Sequence, residues 1–337
     1  MTLKETREHE VAKSDRLDTV TAVQLKEISI DGLTCIGKGQ NSVVYRLDQD
    51  TIVKLYKPCP QLMRQISMEK RNADAAYALG VPTARALEIV RVGENYGLMF
   101  EYLEAPSLRN VIAKEPNRLP DLAIKSAELL RRLHSLNVPK DAFPKISDCY
   151  RERVAGLADL LTPAEINLLN EMIDSIPERK TYIHGDYHRG NIMVRRKEPG
   201  HSAEDELLLI DMSDSSMGHP IYDVLGTYML GINLVKTFPP DFIAKFIGWD
   251  TETIVSAWNL FKRTYFQTED KGELAEIEAM LEAYCQLRWL TFLKIAPAVT
   301  EDMRKKSIEE ARKSFFPMIR THIERFKGRI EAMGCVQ

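Results

Sequence analysis

The first third of the chain alternates apolar and polar residues over short runs, whereas most of the remainder repeats apolar residues at helical spacing. The short β-prone runs, which turn residues separate, are 33–36, 43–47, 51–56, 86–92 and 97–102. One helical pattern, 61–79, lies among these runs and is closed by Gly80 and Pro82. We therefore predict a small sheet that carries one helix.

From about residue 104 the pattern is helical almost to the C-terminus. A single β-rich island interrupts it, with apolar runs at 182–184, 192–194 and 207–210. The last pattern, 301–333, carries one apolar stripe and predicts one long helix. The change of pattern near Pro106 predicts three parts: a charged arm at 1–24, a β-rich lobe at 25–103 and a helical lobe at 104–337. The expected fold class is α+β.

Residues 184–191 read His-Gly-Asp-Tyr-His-Arg-Gly-Asn and carry the most informative motif. Asp186 and Asn191 have the spacing of a phosphoryl-transfer catalytic loop, in which the Asp accepts a hydroxyl proton and the Asn holds a metal ion. Asp211 directly follows the apolar run 207–210, where a kinase needs its principal Mg²⁺ carboxylate. The motif therefore predicts Asp186 as the catalytic residue and Asn191 and Asp211 as ligands of Mg²⁺.

On these residues the chain resembles the aminoglycoside phosphotransferase and choline kinase group of small-molecule kinases. The resemblance runs from about residue 30 to at least Tyr228. It implies a protein-kinase-like two-lobed fold, with a small antiparallel-sheet lobe for the nucleotide and a mostly helical lobe for the catalytic loop and the acceptor. It also implies that Asp223 braces the catalytic loop. His219 stands where the family usually has an Asp, which is a departure from its pattern.

A nucleoside triphosphate carries about four negative charges, which metal, a lysine and backbone N–H groups must meet. Lys54 lies inside a β-prone run, and Glu69 follows it by fifteen residues on the predicted helix. We expect Lys54 to contact the phosphates and Glu69 to orient it. Lys57 and Asp74 are the alternatives for these two roles.

Two further segments of the first lobe are candidates for nucleotide contacts. The loop at 37–42 lies between two β-prone runs, as a glycine-rich phosphate lid would, and offers Gly37, Gly39 and Ser42. At the boundary between the lobes, Glu101 and Tyr102 would supply backbone groups to the edge of the base, as the hinge does in the family that the chain resembles.

Composition and charge exclude several other classes of protein. The 337 residues include 46 Lys and Arg against 49 Asp and Glu, so the formal charge of −3 gives no basic field for nucleic acid or acidic lipid. Five scattered cysteines without a C-x-x-C pair argue against zinc and disulfides and favour the cytoplasm. The sequence has neither an eighteen-residue apolar run nor an apolar secretory signal at its start, so we expect no membrane segment.

We expect an enzyme that moves the γ-phosphoryl group of ATP or GTP to a hydroxyl of a small molecule. A protein kinase is one alternative. Two features oppose it: Gly185 replaces the arginine that protein kinases have in the catalytic loop, and Asp211-Met-Ser replaces their Asp-Phe-Gly motif. A non-catalytic nucleotide-binding scaffold is the other, and the retention of Lys54, Asp186 and the metal ligands opposes it. We expect the acceptor to be enclosed by helices after Asp223 and by the insert 138–180. The identity of the acceptor and the oligomeric state stay open.

Overall fold

The computed structural model describes residues 25–39, 41–196, 205–294 and 299–333. The charged arm expected at 1–24 lies outside these residues. The described chain forms two lobes, and their strands and helices confirm the expected α+β class. A small antiparallel sheet with one helix comes first, and a mostly helical lobe follows.

The first lobe is a five-stranded antiparallel sheet built from the alternating runs of the sequence. Its strands are β1 (Thr34–Lys38), β2 (Ser42–Arg46), β3 (Thr51–Tyr56), β4 (Ala86–Val92) and β5 (Asn95–Glu101), in the spatial order β1-β2-β3-β5-β4. Successive side chains of a strand point to opposite faces. Val53 is therefore buried in an apolar cluster on one face, and Lys54 lies on the other.

A single helix, α1 (Leu62–Ala78), covers the Lys54 face of the sheet and links the two lobes. Ile66 is fully buried and packs against the sheet. Asn72 is also buried, and its Nδ2 donates to the carbonyl oxygens of Ser213 at 3.1 Å and Ser215 at 3.2 Å in the second lobe. The same helix therefore contributes to the core of the first lobe and to the contact between the lobes.

The second lobe packs its helices around one large hydrophobic core. The helices are α2 (Leu108–Lys114), α3 (Leu119–His134), α4 (Ile146–Ala155), α5 (Pro163–Asp174), α6 (Ile221–Tyr228), α7 (Leu234–Thr237), α8 (Pro240–Ile247), α9 (Thr251–Phe266), α10 (Lys271–Phe292), α11 (Glu301–Ser314) and α12 (Ile319–Met333). A π-helical turn, Met229–Asn233, joins α6 to α7. Thr162 begins α5 with a capping box to Glu165.

The β-rich island of the sequence forms two short two-stranded sheets at the base of the cleft between the lobes. β6 (Thr181–Ile183) pairs with β9 (Ser216–Gly218), and β7 (Ile192–Arg195) pairs with β8 (Glu206–Leu209). The 184–191 motif is the connection from β6 to β7, and Asp211 follows β8. These four strands thus position the three residues of the predicted catalytic centre.

The prediction of one long last helix is wrong, because the segment divides into α11 and α12. A short 3₁₀ turn, Phe316–Met318, separates the two helices. Pro317 lacks a backbone N–H and cannot donate the hydrogen bond that a continuous helix requires. Phe315 and Phe316 are buried at the break.

His219, the departure noted in the sequence, is a buried structural residue between β9 and α6. Its Nδ1 accepts the N–H of Ile221 at 3.1 Å, and its Nε2 donates to the carbonyl oxygen of Ile330 on α12 at 2.9 Å. The bond from Ile221 needs the neutral ring, because a protonated Nδ1 cannot accept a hydrogen bond. Burial lowers the pKa of His219 to about 4. The imidazole therefore joins the start of α6 to the last helix in its uncharged form.

We expect this histidine to make the free energy of unfolding depend on pH. In the unfolded chain its pKa is about 6.5, above the folded value, so its contribution is complete above that pH and is lost as the pH falls towards 4. The loss attributable to His219 is about 3 kcal/mol. Urea unfolding at several pH values would measure it against His219→Gln, whose amide can still donate to Ile330. Parallel pH curves for the two proteins would contradict the prediction.

Candidate active site

The β6–β7 connection holds Asp186 by several contacts and leaves its side chain partly exposed, at 31%. Asn191 Nδ2 donates to Asp186 Oδ2 at 3.2 Å and to the Asp186 carbonyl oxygen at 3.1 Å. His184 Nδ1 accepts the Asp186 N–H at 3.3 Å, and His188 Nε2 lies 3.5 Å from Oδ2. Burial raises the pKa of Asp186, but His188 and Arg288 outweigh burial and hold the pKa below its usual range.

Asp223, in the first turn of α6, braces the loop from inside the protein, as the resemblance implies. The carboxylate is fully buried and accepts the backbone N–H of His184 at 2.8 Å and of Gly185 at 2.7 Å. His134 Nε2 lies 3.2 Å from Asp223 Oδ2. Burial raises the pKa of Asp223, yet the contacts with His134 and the loop lower it overall. The loop is therefore anchored by an ionised carboxylate.

Gly185 has a backbone conformation that excludes a side chain. Its φ is +83°, and a Cβ atom at this position would lie 2.4 Å from the carbonyl oxygen of Asp214. The position therefore cannot carry the arginine that protein kinases have in this loop.

Lys54 joins three elements at the interface between the lobes. Its Nζ lies 2.7 Å from Glu69 Oε1 on α1 and 3.1 Å from Asp211 Oδ1 after β8. The Glu69 side chain is 4% exposed. Burial lowers the pKa of Lys54, but Asp211 and Glu69 outweigh burial and raise it, so the ammonium stays charged. Of the alternatives, Lys57 is exposed, and Asp74 contacts Lys70 on the surface of α1.

Asn191 and Asp211 flank the same end of the β7–β8 hairpin. Ile192 pairs with Leu209, and the Ile210 N–H donates to the Asn191 carbonyl oxygen at 3.0 Å. Asp211 has a φ of +64°, a left-handed conformation that is uncommon for a residue other than glycine. Such strain is concentrated at functional sites. The hairpin thus holds the two predicted metal ligands side by side.

The donor set at this hairpin suits Mg²⁺ bound together with a phosphate group. Across the described residues, no three His, Cys, Asp or Glu side chains converge to hold a metal ion by themselves. Asn191 and Asp211 offer oxygen ligands. Mg²⁺ prefers oxygen and usually takes one or two carboxylates, with water and substrate phosphates completing its shell.

Two described residues of the predicted lid are hydrogen-bonded to each other. Gly39 N–H donates to the Ser42 carbonyl oxygen at 2.8 Å, and Gly37 follows an irregularity in the β1–β2 register. Ser42 is buried at the start of β2. In the register of β2 with β3, Ser42 lies opposite Tyr56 and Val44 lies opposite Lys54. Ser42, the last residue of the predicted lid, is therefore two residues along β2 from Val44, the residue opposite Lys54.

Glu101 and Tyr102, the residues predicted to contact the base, use their N–H groups inside the protein. Glu101 N–H donates to the Arg85 carbonyl oxygen at 3.0 Å, and Tyr102 N–H donates to that of Asp50 at 2.6 Å. A base bound beside these two residues would therefore meet their carbonyl oxygens.

Arg288 on α10 is a site residue that the sequence analysis missed. Its buried guanidinium donates from Nη2 to the Gly185 carbonyl oxygen at 3.1 Å and lies 3.8 Å from Asp186 Oδ1. Nη1 donates to the Tyr150 hydroxyl at 3.1 Å. Gly226 leaves room for this group, because a Cβ there would lie 3.1 Å from Nη2. A lone charged residue within the apolar run 283–293 was the signal in the sequence.

The model of the phosphotransferase enzyme family matches residues 33–255 of the chain. The protein therefore belongs to this family, whose name describes enzymes that transfer a phosphoryl group. No curated protein sequence matches the chain. Of the described helices, none combines the length and the apolar character needed to cross a membrane.

Several solved structures of aminoglycoside phosphotransferases are similar to this chain. ADP-bound APH(2'')-Ib is 16% identical, with 96% of this chain and 99% of that chain covered and a TM-score of 0.49. The GDP and kanamycin complex of APH(2'')-IIIa is 16% identical, with coverages of 91% and 97% and a TM-score of 0.48. APH(3'')-Id from Streptomyces rimosus ATCC10970 is 19% identical, with coverages of 72% and 89% and a TM-score of 0.46.

Proposed function

We propose that this protein transfers the γ-phosphoryl group of ATP or GTP to a hydroxyl of a small molecule, with Mg²⁺ as cofactor. The observation that supports this most strongly is the contact of Lys54 with both Glu69 and Asp211, at 2.7 and 3.1 Å, beside the loop of Asp186. Membership of the phosphotransferase family supports the reaction class. In this proposal residues 25–103 bind the nucleotide, and 104–337 carry the catalytic loop and the acceptor site.

In the nucleotide site, the charged Lys54 ammonium contacts the phosphates, and Glu69 keeps it in place from the buried face of α1. The lid residues Gly37, Gly39 and Ser42 cover the phosphates from above. Because the Gly39 N–H already donates to the Ser42 carbonyl oxygen, Gly39 contributes a close approach of the backbone and not a donor. The carbonyl oxygens of Glu101 and Tyr102 face the edge of the base and accept from its amino group.

Asn191 and Asp211 would hold Mg²⁺ through their side-chain oxygens at the end of the β7–β8 hairpin. When bound, the ion neutralises part of the phosphate charge. Asp211 also contacts Lys54, so the metal ligand and the phosphate lysine act on the same group of phosphate oxygens.

Asp186 orients the acceptor hydroxyl and accepts its proton. The lowered pKa keeps the carboxylate ionised at physiological pH, so it can accept a hydrogen bond from the hydroxyl. A bond forms between the hydroxyl oxygen and the γ-phosphorus, while the bond from that phosphorus to the bridging oxygen breaks. The nucleoside diphosphate keeps the electron pair, and the proton passes to Asp186 and then to water.

The conformation of Gly185 supports a small acceptor over a protein one. Protein kinases use an arginine at this position to contact a phosphate on their activation segment. Here a Cβ would meet the Asp214 carbonyl oxygen at 2.4 Å, so the loop is built without that contact.

The proposed function is tested by nucleoside diphosphate release from the purified chain with Mg²⁺ and ATP or GTP, across aminoglycosides, amino alcohols, sugars and hydroxy amino acids. We expect one class of acceptor to raise release well above the basal rate, and Asp186→Asn to abolish the increase. Failure to bind either nucleotide in calorimetry would contradict the proposal.

Arg288 is expected to act on catalysis through Asp186, as a positioning residue. Removing its charge in Arg288→Gln raises the pKa of Asp186, because a nearby opposite charge lowers the pKa of a carboxyl group. The acid limb of the kcat profile should move to higher pH, and kcat at pH 7 should fall about 10- to 100-fold. Arg288→Lys should restore the acid limb. An unchanged limb in Arg288→Gln would show that the residue serves folding alone.

A further inference from the structure

A cavity of about 390 Å³ lies beside the catalytic loop, at the meeting of α1, α4, the turn after Asp211 and the end of α10. Its size is at the lower end of the range for small-molecule sites. Its charged lining residues are Glu152, Arg153, Asp214 and Lys294.

The cavity wall contacts Asp211 directly and lies near Asp186 through α10. Ser213 lines it, and the Ser213 hydroxyl donates to Asp211 Oδ1 at 2.9 Å. Thr291 also lines it, one helical turn beyond the Arg288 that reaches Asp186. A molecule bound here would therefore be a neighbour of the loop that carries Asp186.

The residues that line the cavity include two cations and two carboxylates. Arg153 Nη2 lies 2.7 Å from Asp214 Oδ1, and Lys294 pairs with Asp159 at the rim. A guanidinium has five N–H donors, so Arg153 has the capacity for a second carboxylate beside Asp214. Glu152 and Asp214 offer oxygen acceptors for a bound ammonium group.

We propose that this cavity binds the acceptor, and that the acceptor is a small hydroxyl compound that carries both a carboxylate and an ammonium group. The inference rests on the proposed function and names its substrate class. A polycation would face Arg153 and Lys294 in the wall, and like charges brought together disfavour such a ligand. A zwitterion instead meets a partner of opposite sign for each of its charges, while its hydroxyl is directed to Asp186.

The test compares acceptors that differ by one charged group, using the full chain with Mg²⁺ and ATP. The zwitterions are L-serine, L-threonine and L-homoserine. The comparison compounds are ethanolamine and 3-amino-1-propanol, which lack the carboxylate, 3-hydroxypropionate, which lacks the ammonium, and the polycation kanamycin. We expect kcat/KM for at least one zwitterion to exceed that for every comparison compound by tenfold or more.

The variant Arg153→Gln provides a second, independent test of the proposal. It should raise KM for the zwitterion about 10- to 100-fold, with kcat and KM for ATP little changed. The matched control is Arg151→Gln on the same helix, because Arg151 pairs with Asp148 and Asp174 away from the cavity. Arg153→Lys, which keeps the charge, should recover part of the affinity, and thermal unfolding of each variant checks its fold.

The outcomes separate the two proposals. Turnover of kanamycin or an amino alcohol in preference to every zwitterion, or an acceptor KM that Arg153→Gln leaves unchanged, would overturn the inference and leave the phosphotransferase function standing. ATP binding without zwitterion turnover above the Asp186→Asn background would also overturn the inference alone. Absence of nucleotide binding would overturn both.

Discussion

Asn in place of Asp186 is expected to lower kcat by about 10²- to 10⁴-fold, the usual contribution of a positioned general base. The amide cannot accept the proton of the acceptor hydroxyl, yet it has the shape of the carboxylate and can keep the contact with Asn191, now 3.2 Å from Oδ2. KM for ATP should therefore change by less than about threefold. Initial rates with saturating acceptor, measured in parallel with nucleotide binding, separate the two effects.

The control is Asp241→Asn, an exposed aspartate in the first turn of α8. It changes the net charge by the same amount and should leave kcat unaltered. If Asp186→Asn and Asp241→Asn had equal rates, Asp186 would have no part in the chemistry.

Replacement of Lys54 by Met is expected to have two large effects. It removes the cation that the phosphates would meet, so kcat/KM for ATP should fall about 10²- to 10³-fold. It also leaves the Glu69 carboxylate, whose side chain is 4% exposed, without the Lys54 ammonium that lies 2.7 Å from it. Breaking a buried ion pair in this way costs about 3 to 5 kcal/mol of folding free energy. Steady-state kinetics and urea unfolding measure the two effects independently.

Lys57→Met is the matched control, because Lys57 is an exposed lysine three residues further along the chain. It should leave kcat/KM for ATP nearly unchanged. A double variant, Lys54→Met with Glu69→Gln, removes the stranded charge and should recover stability without recovering activity. Recovery of activity in this double variant would mean that Lys54 acts only as a structural counterion.

The parts of the fold that were predictable are those with strong local signals. The alternating runs predicted the five strands of the sheet. Helical spacing that ends at Gly80 and Pro82 predicted a helix over 61–79, and the structure has α1 at Leu62–Ala78. β9, three residues long, was not predicted, because so short a strand has no periodicity to detect. The break at Pro317 was overlooked because the apolar stripe continues across it.

Of the candidate site, the sequence identified residues that share a short motif or follow a strand, such as Asp186, Asn191 and Asp211. It did not identify Arg288, which lies 102 residues beyond Asp186 and reaches Gly185 only through the packing of α10 on α6. Arg153 and Asp214 were missed for the same reason, since tertiary structure alone brings them together at 2.7 Å. Contacts of high sequence separation leave no local pattern, so the acceptor side was the least predictable part.

The most direct test of phosphotransfer follows the γ-phosphate itself. The purified chain is incubated with γ-³²P-labelled ATP, Mg²⁺ and the preferred acceptor, and labelled acceptor is separated from inorganic phosphate. We predict one labelled acceptor for each ADP formed, with labelling by Asp186→Asn slower by about 10²-fold or more. Label found only in inorganic phosphate, at an equal rate with and without acceptor and in both proteins, would contradict the assignment of this site as a phosphotransferase centre.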